Sequence, residues 1–235
     1  MRTNANHFFM QLNRARAGGR RWRPRTIAAA LAFGAALGVL MAPVDGAEAQ
    51  SQGPRGCGIA MLQGEATVER AGASMPAAIG MALATNDRLA SGADARVEIR
   101  CTDGVRLNLG ANTSLDLATL AAPAAATRNV ALRLLDGVVR VALPSLRSWR
   151  YFEVQTPTAV ASVRSTDWIV QAGEKGATAV FVGDGQVLAS DRAGSKGAFL
   201  QAGEGIDFSA DGGMTASVRW GAPRVERTLA AVMPR

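Results

Sequence analysis

The sequence predicts an all-β protein of many short strands and hairpins behind an export leader. Three observations carry that expectation. Arg96-Val97-Glu98-Ile99-Arg100-Cys101 and Val105-Arg106-Leu107-Asn108-Leu109 alternate polar and apolar side chains, so the apolar members of each run fall on one face of a strand. Asp-Gly punctuates such runs at Asp103-Gly104, Asp136-Gly137 and Asp184-Gly185, and this pair supplies the positive φ angles of a type I′ hairpin turn. Beyond the leader no segment sustains a 3.6-residue apolar period. Leu120 to Ala126, rich in alanine, reads either as a turn of helix or as a loose loop.

The leader comes first in the chain. Residues 1 to 25 hold seven arginines and no acid, and Thr26 to Ala42 then run without a charge. A basic stretch followed by an apolar one, closed by Ala47-Glu48-Ala49, has the order of a secretory signal, with cleavage expected before Gln50. The alternative is a retained anchor, although the run is close to the shortest span that crosses a bilayer and is poor in large apolar side chains. In both cases the arginines stay cytoplasmic and the remainder lies outside. Arg20-Arg21 leaves the twin-arginine route open, but Trp22-Arg23-Pro24 lacks the apolar pair that usually follows.

Of the 26 basic and 19 acidic residues, seven and two lie within the first 49, which leaves 19 and 17 and a net charge of +2. The remaining arginines are scattered singly. Nucleic-acid binding requires a clustered basic footprint, so no nucleic-acid partner is expected. The two cysteines, Cys57 and Cys101, both belong to the exported part, where an even pair favours a disulfide. Closing that loop stabilises a fold by roughly 4 kcal/mol on the chain-entropy account; the other reading is two buried thiols. Arg55, two residues before Cys57, is out of place for lipid attachment at that cysteine.

After about Gln63 the pattern becomes short strand-like segments. Val130 to Leu134 and Val138 to Val141 flank Asp136-Gly137, and Ala179 to Val182 and Gln186 to Leu188 flank Asp184-Gly185, so each pair reads as a further hairpin. The last stretch, 210–235, loses the alternation, and Val225 to Met233 is compatible with a short terminal helix.

Five segments together resemble the FecR domain: Leu83 to Gly92 (LATNDRLASG), Val97 to Leu109 (VEIRCTDGVRLNL), Leu135 to Val139, Phe152 to Val170 (FEVQTPTAVASVRSTDWIV) and Val180 to Val187. The fourth follows the family's F-x-V-x-T-P-x-A-x-A-x-[VA]-R-G-T-x-F-x-V block and is the specific one. Three positions depart from the family pattern. Asn86 and Ser165 stand where glycine is usual, and Trp168 stands where phenylalanine is usual. The resemblance covers about residues 60 to 205. It implies a β-sandwich or β-solenoid-like domain over 50–209, behind a signal peptide at 1–49 and before a C-terminal extension at 210–235. In the family's best-known members a cytoplasmic segment contacts a sigma factor and one helix spans the membrane. Here the arginine-rich stretch before the apolar run is too short to fold alone, so the expectation is a stand-alone exported FecR domain without a stable membrane span after cleavage.

The chemistry on offer is sparse. The single histidine, His7, lies in the leader, which leaves the exported part without imidazole for Ser-His-Asp, Cys-His or His-zinc sites. Lys175 and Lys196 sit among glycines and read as solvated turns. Glu153 and Asp167 flank the family block, but no spacing marks them as a glycosidase pair. Gly183-Asp184-Gly185 and Gly203-Glu204-Gly205 lack the strand-loop-helix order of a phosphate loop and read as turns. The expectation is no enzyme, no cofactor and no metal. Arg164, Thr166 and Trp168 share one face of an alternating strand, with Val163, Ser165 and Asp167 on the other. An arginine beside an aromatic ring suits an interface hot spot or sugar stacking; the competing reading is a core tryptophan with an arginine fixing a turn. The expected function is a binding module for an envelope protein or a cell-wall glycan in the periplasm or outside the cell. The alternatives are a structural or assembly component and an accessory of a signalling system. The sequence does not fix the oligomeric state.

Overall fold

A computed structural model describes residues 56–120, 129–144 and 151–233, all within the compact unit Glu48–Arg235. The leader, its cleavage site and most of the Leu120 to Ala126 segment lie outside the described residues. In chain order the strands are β1 (Cys57–Gln63), β2 (Ala66–Arg70), β3 (Ala73–Pro76), β4 (Arg88–Ser91), β5 (Arg96–Cys101), β6 (Arg106–Leu109), β7 (Ser114–Asp116) and β8 (Asn129–Ala142). They continue as β9 (Tyr151–Gln155), β10 (Ala159–Ala172), β11 (Thr178–Asp191), β12 (Gly197–Gln201), β13 (Glu204–Phe208) and β14 (Val218–Arg219), before helix α1 (Ala222–Ala230). The all-β expectation and the short C-terminal helix are both realised.

Three strands organise the rest. β8, β10 and β11 are each 14 residues long and change partners along their length. The first part of β8 pairs with β7 and, in parallel, with β9; its second part pairs with β6 and β10. β11 lies along β10 throughout, but on its other side pairs with β13 near its start and with β12 near its end. A sheet whose long strands pass from one set of neighbours to another folds over itself. One large buried cluster fills the fold. It runs from Ile59, Ile99 and Leu107 through Val141, Phe152, Val170 and Val180 to Val187 and Leu200. Among the described strands β8–β9 is the one parallel pairing, so the sheet is otherwise antiparallel.

The hairpin expectations need correction at two of three places. Asp103-Gly104 does close the β5–β6 hairpin, where the Cys101 amide donates to Val105 O at 2.9 Å. Gly104 has φ 87° and Asp103 does not share a positive φ, so the loop is a three-residue turn ending in a left-handed glycine, not a type I′ turn. Asp136-Gly137 and Asp184-Gly185 lie inside the continuous strands β8 and β11. There the left-handed glycines, φ 88° and 82°, accompany register shifts in the β7–β8 and β10–β11 ladders, so they bend strands and do not reverse them.

The C-terminal stretch covers part of the outer face of the sheet. Gly221 precedes the helix, Pro223 sits in its first turn, and a second apolar cluster forms from Val138, Ile169, Phe181, Trp220 and Val232, with Val225 and Leu229 of the helix packed against it. Trp220 stacks on Phe181 with centroids 5.0 Å apart and lies over Gly205, where a Cβ would come within 2.3 Å of the indole.

Candidate functional site

The disulfide expected between Cys57 and Cys101 is present. The two residues are directly opposite in the β1–β5 ladder, so the bond ties the first described strand to the β5–β6 hairpin.

The expected recognition face on β10 takes a different form. Of the two register shifts in the β10–β11 ladder, the one between Val163 and Thr166 puts an extra residue in β10 and breaks its simple alternation, whereas the one between Asp167 and Trp168 puts the extra residue in β11. Val163 and Trp168, five residues apart, therefore lie in the same core cluster, where strict alternation would have put them on opposite faces. Trp168 is fully buried and meets Phe152 edge-on at 5.8 Å. Its Nε1–H has no hydrogen-bond partner among the described residues. Of the two readings of this position, the buried ring agrees with the core tryptophan and not with an exposed hot spot, since a residue with no solvent contact cannot touch a partner directly. Thr166 is also buried, and its Oγ1 donates to Gln186 O at 3.1 Å. Arg164 and Ser165 lie within the shifted segment of β10; the Arg164 side chain lies outside the described atoms.

The remaining sequence candidates do not converge. Glu153 accepts from Gln155 Nε2 on β9, beside the first part of β10, whereas Asp167 belongs to the second part and is held by Arg140. Lys175 and Lys196 are exposed. Gly203-Glu204-Gly205 forms the turn into β13, with Glu204 Oε2 accepting from the Gln201 amide at 2.8 Å. Among the described residues no group of three or more His, Cys, Asp or Glu stands close enough to hold a metal.

One concave polar surface emerges from the topology. Glu98 and Arg100 of β5, Arg106 and Asn108 of β6, Arg140 and Ala142 of β8 and Asp167 of β10 line a groove of about 280 Å³ on the outer face, with Met233 at its end. Arg140 Nε donates to Asp167 Oδ1 at 2.8 Å and its Nη2 donates to the other carboxylate oxygen. That hydrogen bond, with the charge behind it, raises the Arg140 pKa further against the effect of burial. Arg100 Nε donates to Glu98 in the same way. The alternation in β5 and β6 already put four of these residues on outward faces. What sequence reasoning missed is that β8 and β10 join them there, because β8 was read as a hairpin ending at Asp136-Gly137.

Another outer surface carries exposed apolar side chains. Leu188 on β11 and Phe199 on β12 are cross-strand partners with 39% and 64% of their surface exposed, and among the described strands β12 pairs only with β11.

A folded antiparallel sheet with a disulfide near its start, a helix over one outer face and no assembled catalytic group among the described residues defines a class of small β module. Residues 87–188 match the model of the FecR protein family, a span that runs from the Asp87 turn through β8 and β10 into β11. Two crystal structures, at 1.65 and 2.50 Å, of a protein provisionally assigned as an anti-sigma factor from Parabacteroides distasonis ATCC 8503 are similar to it. Each has a TM-score of 0.51 and 18% identity, and covers 60% of this chain. This chain in turn covers 64% and 63% of those chains, less than two thirds, so the likeness is one of fold. No curated protein matches the chain.

Proposed function

We propose that this protein is a non-catalytic FecR-type binding module with a signalling-related role in the cell envelope. In this reading it is exported by the leader, cleaved after Ala49, and engages another envelope protein or a cell-wall glycan. The observation that carries the reading is the FecR match over residues 87–188, which takes in β8, β10 and nearly all of β11. The provisional anti-sigma assignment of the structural neighbours points the same way. The disulfide suits an oxidising compartment. Recognition is assigned to the shifted segment of β10 around Arg164, with Thr166 and Trp168 holding its backbone from beneath.

Cross-linking the tagged full-length chain in intact cells, followed by mass spectrometry, should recover an envelope protein; sedimentation with insoluble cell wall covers the glycan alternative. Arg164→Ala should weaken the capture by at least tenfold with the melting temperature unchanged. Capture equal to wild type, or recovery of the chain still beginning at Met1 from the cytoplasm alone, would sink the reading.

The Leu188–Phe199 pair at the β12 edge favours a second reading, an assembly component that adds strands edge to edge. Sedimentation velocity distinguishes it: this reading requires concentration-dependent self-association that Phe199→Lys abolishes.

A further inference from the structure

The outer-face groove takes Asp167 from β10 and its other lining residues from β5, β6, β8 and the C-terminal stretch, and its charges are unevenly matched. Arg100 and Arg106 are directly opposite each other on neighbouring strands. Like charges in that position destabilise a sheet. Glu98 answers Arg100 through Nε only, and Asp167 is occupied on both oxygens by Arg140. Arg106 is exposed, with no ion-pair partner among the described residues. On its other side Arg106 faces Ala142, whose methyl group leaves an open floor between the arginine wall and the Arg140–Asp167 pair. Asn108, one step along β6 between Glu98 and Arg140, adds an amide donor.

We propose that this groove binds an oxyanion group, a carboxylate or a phosphate, gripped by Arg106 and the free terminal nitrogens of Arg100, with Asn108 as a third donor. The chemistry follows from what is unsatisfied. Two adjacent guanidinium groups present parallel N–H donors that match the paired oxygens of a carboxylate or phosphate, and an anion between them removes the repulsion that the register imposes. Glu98 pairs with Arg100 and Asp167 with Arg140, which leaves the charge of Arg106 unmatched in the groove for an anion to answer. Met233, whose Sδ accepts from Arg140 Nη1 at 3.2 Å, together with Asp167 occupies Arg140.

The test is a titration of the purified protein followed by amide proton–nitrogen spectra, with inorganic phosphate and with succinate in separate arms at ionic strength matched by sodium chloride. The expected result is saturable shifts at residues 98–108 in at least one arm, and the arm with the lower Kd identifies the group preferred. Arg106→Ala should raise that Kd about tenfold or more, as expected for loss of a charge-assisted hydrogen bond, with no change in melting temperature. Arg133→Ala, on β8 opposite Asp116, should leave it unchanged. Linear, non-saturating shifts in both arms, or an Arg106→Ala protein that binds as wild type, would overturn the proposal, as would equal weakening by Arg133→Ala, which would mark general charge attraction.

Discussion

Asp87 has no solvent exposure on its side chain, yet it sits in a bidentate pair with Arg70, whose Nε lies 2.8 Å from Oδ1, and accepts the Ala84 amide at 2.7 Å. Burial pushes its pKa up, but the hydrogen bonds from Arg70 and Ala84 and the charge of Arg70 outweigh it and hold the carboxyl below its ordinary value. A native carboxylate that binds its proton less readily than the unfolded chain makes stability rise with pH. The contribution is therefore full above the unfolded value near pH 4 and is lost as pH falls through the depressed native one. Asp87→Asn should be less stable than wild type at pH 7, with the gap closing in acid; urea titrations across that range check it, and a constant gap would refute it. Asn86, next to it, explains one departure from the family pattern, because its φ of 65° is the left-handed conformation that glycine adopts freely and asparagine tolerates. Trp168 shows where sequence stops. It is legible as either core or hot spot, and the bulge between Val163 and Thr166 sets the phase that buries it. Trp168→Ala should cost about 3 to 5 kcal/mol, read as a lower urea midpoint, and a melting curve like wild type would show that the ring is dispensable to the core.

At the level of elements, the three Asp-Gly pairs divide by what their flanking strands pair with. Asp-Gly fixes a local chain conformation, and that much is legible in sequence; whether the strand then turns back or merely bends depends on which neighbour holds each half. β8 goes straight on because β7 and β6 hold successive parts of it on the same side. Gly137 is required there twice over. Its φ is 88°, and a Cβ would lie 2.4 Å from Thr113 Cα, beside the Thr113 Oγ1 that accepts the Val138 amide at 3.0 Å. Gly72 has a similar φ of 81° but open space around it, so it isolates the backbone cost alone. Gly72→Ala should lose roughly 1 to 2 kcal/mol, and Gly137→Ala on the order of 3 kcal/mol or more, because overpacking adds to the same backbone strain. Paired denaturation curves measure both, and equal losses would mean that Thr113 yields without cost. Ser165, the other departure from the family's glycines, lies within the Val163 to Thr166 register shift, so the family position coincides with a bulge, where strand glycines commonly occur.

Across the whole molecule, two separate apolar clusters do different work. The large one joins the strands into a single folded sheet and was foreshadowed by the alternating runs. The small one, on the outer face, was not legible, because Val138, Ile169 and Phe181 come from three different strands and meet only when β8, β10 and β11 lie side by side. Their cover is the stretch from Trp220 to Val232. Arg224 locks it from above, lying 3.5 Å over the Trp220 ring while pairing both terminal nitrogens with Asp207. Because the main core does not include this stretch, a chain ending at Ala216, which keeps Met214 against that core, should keep its β-sheet signal in far-ultraviolet circular dichroism. It should also expose a contiguous apolar patch of the kind that promotes association. The expected result is strong binding of a hydrophobic dye and growth in particle size with concentration, neither shown by the intact chain. Arg224→Ala should give a milder version, since it loosens the lock without removing the cover. If the shortened chain stays monomeric and binds no dye, the outer cluster is not a covered face; if it loses its sheet signal altogether, the extension belongs to the folding core and the two clusters are energetically one.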